Sequence, residues 1–152
     1  MLTVQGFLAQ RIRAAGEGLA NAARETGEKI TWRPLDKGRS ALDQVVECGG
    51  FNHVGAQILE QGAFPAEGFS METLLAQNDT PEKAFALLAE GTERLARTIE
   101  SFPDEKLEQK VTLPFGGGME LSFAEVAGMC HYNTIYHEGQ VNYIQTLYQE
   151  KS

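Results

Sequence analysis

The stretch VAGMCHYNTIYHEGQVNYIQTLY, residues 126–148, decides how this chain folds. Val126, Cys130, Asn133, His137, Val141, Ile144 and Tyr148 recur at intervals of three and four, the spacing of one face of an α-helix. The face is apolar except at Asn133 and His137, so the pattern predicts a long helix that carries two polar side chains into its buried stripe. His131 lies about 120° away from His137 at the helical step of roughly 100° per residue, and there it is expected to be solvated. Tyr132, Tyr136 and Tyr143 gather on one flank, where packing is the expected use and a pocket wall or a dimer contact the alternative.

Upstream, a second stretch repeats the anomaly. Ser40 is a good N-cap for a helix running to about Gln61. On that helix Leu42, Val45 and Val46 mark one side, and Phe51, Val54 and Ile58 another. A helix apolar on two sides belongs in the middle of a fold. Glu47 heads the row Glu47, Phe51, Val54, Ile58 and is its one acid. A buried polar group without a partner costs a few kcal/mol, so Glu47, Asn133 and His137 are expected to converge between facing helices. His53 falls nearer the Leu42 and Val46 side, and is expected as a core or surface histidine.

The remaining segments complete a bundle. Leu8, Ile12, Ala15, Leu19 and Ala22 predict a first helix from about Leu2 to Thr26, weakened locally by Gly16 and Gly18. A breaker stretch with Trp32, Pro34 and Gly38 leads on to Ser40. The segment from Gly62 to Asp79 is too apolar for a free linker and reads as a packed connection with one short helical turn. Thr80 before Pro81 and Glu82 starts a third long helix that ends near Phe102. Residues 110–115 and 119–123 flank Gly116 to Gly118 and predict one β-hairpin, after which Ser122 or the turn before it opens the last helix. The expected fold is therefore all-α: a four-helix bundle with long crossover connections and one small hairpin, filling residues 1–152 as a single domain.

Composition narrows the function. Of 152 residues, 42% are hydrophobic and 22% charged, which is ordinary globular usage. The net charge of −8 repels phosphate backbones and anionic lipid headgroups, so neither nucleic acid nor a membrane is an expected partner. No apolar run approaches the roughly 18 residues of a membrane span, and the start of the chain lacks a signal core. Cys48 and Cys130 have no CxxC spacing, and reduced thiols in a cytoplasmic protein are the simplest reading. The glycine run lacks the lysine of a phosphate loop.

Several landmarks resemble the DinB/YfiT-like superfamily of bacterial four-helix bundles: Trp32-x-Pro34, Ser40 opening the second helix, Phe102-Pro103-Asp104, and His137-Glu-Gly-Gln140 with the segment YHEGQVNYIQTLY. The resemblance implies homodimers and a metal held by three histidines, one on the second helix and two spaced by four on the last. Carried over by position, the three ligand places fall on Glu47, Asn133 and His137. A carboxylate and an imidazole are ordinary ligands for divalent zinc, nickel or iron, whereas an asparagine amide is weak.

Two functions follow from that resemblance. The first is a divalent-metal-dependent thiol S-transferase-type enzyme with a degenerate ligand set, in which the metal presents the thiolate of a small-molecule thiol to an electrophile. The alternative is a metal-free binding or stress-associated bundle in which the three residues form a structural polar cluster.

Overall fold

A computed structural model describes residues 1–148; the last four residues of the expected 1–152 domain lie outside the described residues. Four long helices, α1 (Val4–Glu25), α2 (Ala41–Gln61), α4 (Pro81–Glu100) and α5 (Phe123–Tyr148), form the bundle. A short helix α3 (Met71–Gln77) interrupts the connection from α2 to α4, and a hairpin of β1 (Lys110–Leu113) and β2 (Met119–Ser122) precedes α5. α1 packs on α4 and α5, and α2 packs on the same two helices, which places α1 and α2 on one diagonal. Consecutive elements on a diagonal require the long connections that the sequence contains.

Capping chemistry sets the helix starts. Ser40 and Asp43 exchange side-chain and backbone hydrogen bonds in a capping box, and Ser122 and Glu125 do the same for α5. Thr80 caps α4 with Pro81 in its first turn. Gly62 ends α2 in the left-handed region at φ 75°. The strands pair antiparallel from Lys110 opposite Ser122 to Leu113 opposite Met119, and Gly116, Gly117 and Gly118 all take positive φ in the turn.

The core has two halves. Ile12, Leu95, Ile99, Leu113, Phe123 and Val126 fill the one that the hairpin closes, and Leu19, Leu42, Val45, Val46, Leu88 and Val141 fill the other. A third buried group is polar: Asn52 Nδ2 donates to Thr92 Oγ1 at 3.2 Å between α2 and α4. Gly16 lies against Thr92, and Gly91 lies against the backbone of Gly49. The breaker stretch is more ordered than its composition suggests, since a 3-10 turn occupies Gly27–Thr31 and a tight turn closed by the Gly38 N–H on the Pro34 carbonyl follows it. Among the described residues no helix is long and apolar enough to cross a membrane.

Candidate functional site

An open cleft of about 940 Å³ lies between α5 and the segment that leads into α2. Arg39, just before the cap of α2, and Gln44 and Glu47 on α2 line one side, and Tyr132, Asn133, Tyr136, His137 and Tyr143 line it from α5. The capping box at Ser40 fixes the first turn of α2, which puts Gln44 and Glu47 one turn apart on the face toward α5.

His137 is 4% exposed and is the centre of the polar cluster. Its Nδ1 lies 2.9 Å from Gln44 Oε1, an oxygen that only accepts, so Nδ1 carries the proton. In the neutral ring Nε2 then presents its lone pair to Glu47 Oε2, 3.5 Å away. Two acceptors face each other there. The Arg39 guanidinium pairs with that same Glu47 oxygen, although among the described residues Oε2 receives no aligned hydrogen bond. Burial and the nearby Arg39 charge push the His137 pKa down to about 4, against a weaker opposing pull from Gln140.

The expected triad is therefore only partly assembled. Glu47 and His137 meet, and His137 is buried as its position in the stripe predicts. Asn133 lines the cleft, yet its Nδ2 donates to Cys48 Sγ at 3.7 Å. Arg39 and Gln44 were not foreseen as site residues. Gln44 lies one turn before Glu47, a signal that the sequence carried, whereas Arg39 stands outside every helical period. Arg39 follows Leu35 and Asp36, two non-glycine residues at φ 54° and 57°, so a strained turn delivers it to the cleft.

Other expectations need correction. Tyr132, Tyr136 and Tyr143 are 67%, 52% and 65% exposed, so they form a cleft wall and do not pack in the core. Tyr132 and Tyr136 stack with ring centroids 6.2 Å apart. His131 is half-buried rather than solvated, and its Nε2 is enclosed without a hydrogen-bond partner among the described residues. His53 is half-buried on the side of α4, with Nδ1 3.5 Å from Arg94 Nη1. Burial raises both thiols, Cys48 and Cys130, to about 12, so neither is a ready nucleophile.

A family model described as the DinB superfamily matches residues 3–141. The chain belongs to the DinB superfamily. No curated protein matches it significantly. The metal centre that the family resemblance implies can be weighed against the donors of this DinB domain. Glu47 Oε2 and His137 Nε2 stand 3.5 Å apart, the spacing of two ligands on one ion held at about 2.0–2.2 Å from each. The third place is poor, because an asparagine amide is a weak ligand for these metals and the Asn133 Nδ2 is turned to Cys48 Sγ. The charge also fails, because Arg39 already neutralises Glu47. Among the described residues no three His, Cys, Asp or Glu side chains converge. The donor set of this DinB domain does not fit a metal centre.

The neutral His137 predicts an acid sensitivity. Its folded pKa of about 4 lies below the ordinary value of 6.5, so the unfolded chain takes up the proton first as pH falls. The His137 contribution is thus intact above pH 6.5 and is lost progressively between 6.5 and 4, by about 3 kcal/mol at most. His53 and His131 are also lowered by burial and add to the same slope. The difference between the wild type and His137→Asn isolates the share of His137: urea unfolding from pH 4 to 7 should be less pH-dependent in the variant. Parallel curves would refute a neutral buried imidazole.

Proposed function

We propose that this DinB-superfamily protein binds a small polar molecule in the cleft between α2 and α5 without a resident metal. The observation that carries the reading is the pairing of Arg39 with Glu47, which places a permanent cation on the carboxylate that a metal would need. The stacked Tyr132 and Tyr136 offer a flat aromatic wall, and Gln44, Gln140 and the Arg39–Glu47 pair offer donors and acceptors. A ligand with a planar body and polar edges suits such a lining. The buried reduced thiols support a cytoplasmic setting.

The second reading, a metal-dependent thiol S-transferase-type enzyme using zinc, nickel or iron, draws its support from the ligand-like spacing of Glu47 and His137. Elemental analysis of protein purified without an affinity tag separates the two. Metal well below one ion per chain is expected. A single tightly held ion per chain would replace the binding reading with the enzyme. A homodimer is part of the proposal, supported by the exposed Ile135, Tyr143 and Leu147 along α5, and sedimentation of the same sample at micromolar concentration should show it.

A further inference from the structure

We infer that the groove between α1 and α4 is a second ligand site, for a linear monocarboxylic acid that carries a neutral hydrogen-bond-accepting oxygen near its far end. The groove shares no lining residue with the α2–α5 cleft, so the inference stands apart from the reading of that cleft.

Three features of the groove carry it. First, it holds about 300 Å³, the small end of the range for ligand sites, over a floor of Gly16, Ala20, Leu88 and Ala89. An apolar body fits that floor. Second, Thr92 stands at one end of the groove and is only 7% exposed. Its hydroxyl oxygen accepts from Asn52 Nδ2 at 3.2 Å, so its own proton is left over, and among the described residues that proton meets no acceptor. A Cβ at Gly16 would lie 2.8 Å from this oxygen, so the glycine keeps the hydroxyl uncovered. A buried donor of this kind calls for an acceptor from a ligand. Third, Arg24 stands at the other end, with its guanidinium 4.8 Å from the centre of the Phe85 ring. Its side chain donates to Asn21 Oδ1 at 3.3 Å, and among the described residues no carboxylate pairs with it.

Spacing sets the length of the ligand, and charge sets its direction. Phe85 and Thr92 are seven residues apart on α4, about 10 Å along the axis, which an extended acid of medium chain length spans. Arg13 is closed to a ligand, because Glu93 and Glu100 each hold it through paired hydrogen bonds. Arg24 is therefore the cation left for a carboxylate, and a guanidinium takes one through two parallel hydrogen bonds. Glu17 and Glu93 line the Thr92 end, where they repel a second carboxylate but not a carbonyl oxygen.

The test is titration of the full chain with two probes, octanoate and the same acid bearing a keto group beside its terminal methyl, followed through amide NMR spectra of isotope-labelled protein. Circular dichroism checks that each variant is folded. The keto acid should bind saturably, one per chain, and shift the amides of Gly16, Ala20 and Ala89. Arg24→Gln should weaken it about tenfold or more, equivalent to about 1.4 kcal/mol. Octanoate should bind the wild type more weakly than the keto acid does, and the two should bind Thr92→Val equally, while Thr92→Ser should keep the difference. Absence of saturable binding, or shifts confined to the α2–α5 cleft, would overturn the inference. An affinity that Arg24→Gln leaves unchanged would do the same, as would a preference for the keto acid that survives Thr92→Val.

Discussion

Gly91→Val is expected to cost about 3 kcal/mol or more and to leave little folded protein at moderate urea. The cause is a backbone contact between α2 and α4. A Cβ built at Gly91 would lie 2.4 Å from the carbonyl oxygen of Gly49, and one at Gly49 would lie 2.8 Å from the amide nitrogen of Leu88. Flexible side chains can move aside, but a helix backbone packed on its neighbour cannot, so the whole α2–α4 crossing would have to widen. Widening would loosen Val45 and Leu88 in one half of the core and Leu95 in the other. Gly128→Ala is the contrasting case. Among the described residues nothing outside its own helix turn lies within 4 Å of its added methyl group on α5, and alanine favours a helix over glycine by about 1 kcal/mol, so stability should rise. Urea midpoints that moved alike in the two variants would show that the close approach is not what limits position 91.

The same glycines explain what the sequence could and could not disclose. Periodicity and caps are local, and they located all four long helices: Ser40, Thr80 with Pro81, and Ser122 mark starts that the structure keeps. Gly16 and Gly18 read locally as weak points in α1. In the bundle the side chains of Thr92 and Glu138 from other helices fill the space a Cβ would need there, and the helix runs through both glycines unbroken from Val4 to Glu25. A neighbour's side chain leaves no mark in the local sequence. The connection after α2 differs by degree: the expected single turn is a seven-residue helix, because Ser70 caps Met71 and lets Leu74 fold back onto Gly50.

The site was legible in part for the same reason. Glu47 and His137 each interrupt an apolar stripe, and a stripe reports burial, so their meeting could be expected from both helices. Arg39 interrupts nothing. It sits in a turn without period, and only the three-dimensional course of Pro34 to Ser40 brings its guanidinium to Glu47. Asn133 lies in the stripe, but its direction depends on which neighbour offers an acceptor, and Cys48 does. The tyrosines misled because a ring that lines an open cleft and one that packs inside follow the same helical spacing.

Glu47→His combined with Asn133→His is expected to convert this protein from one with little bound metal to one that keeps a zinc or nickel ion per chain through gel filtration. The argument is geometric. Glu47 and His137 already bring donor atoms to 3.5 Å, so an imidazole at 47 starts from the right helix face. Position 133 is one turn before His137 on α5, the spacing at which two side chains share a face, and both positions line the same cleft. An imidazole has no NH₂ group to spend on Cys48, so the third donor is freed. The substitution at 47 also removes the carboxylate that holds Arg39, and the guanidinium can swing into solvent. Gln44 continues to orient His137 through Nδ1. Three neutral imidazoles with an open fourth position form a set that zinc accepts in many proteins. Cobalt substitution gives the independent reading, since a tetrahedral visible spectrum reports the four-coordinate geometry expected of three protein donors and one open position. A folded double variant that bound no metal would show that the three positions do not converge on one point. Metal bound by Glu47→His alone would show instead that Asn133 is not the missing ligand, and that the departure of Arg39 from the cleft suffices.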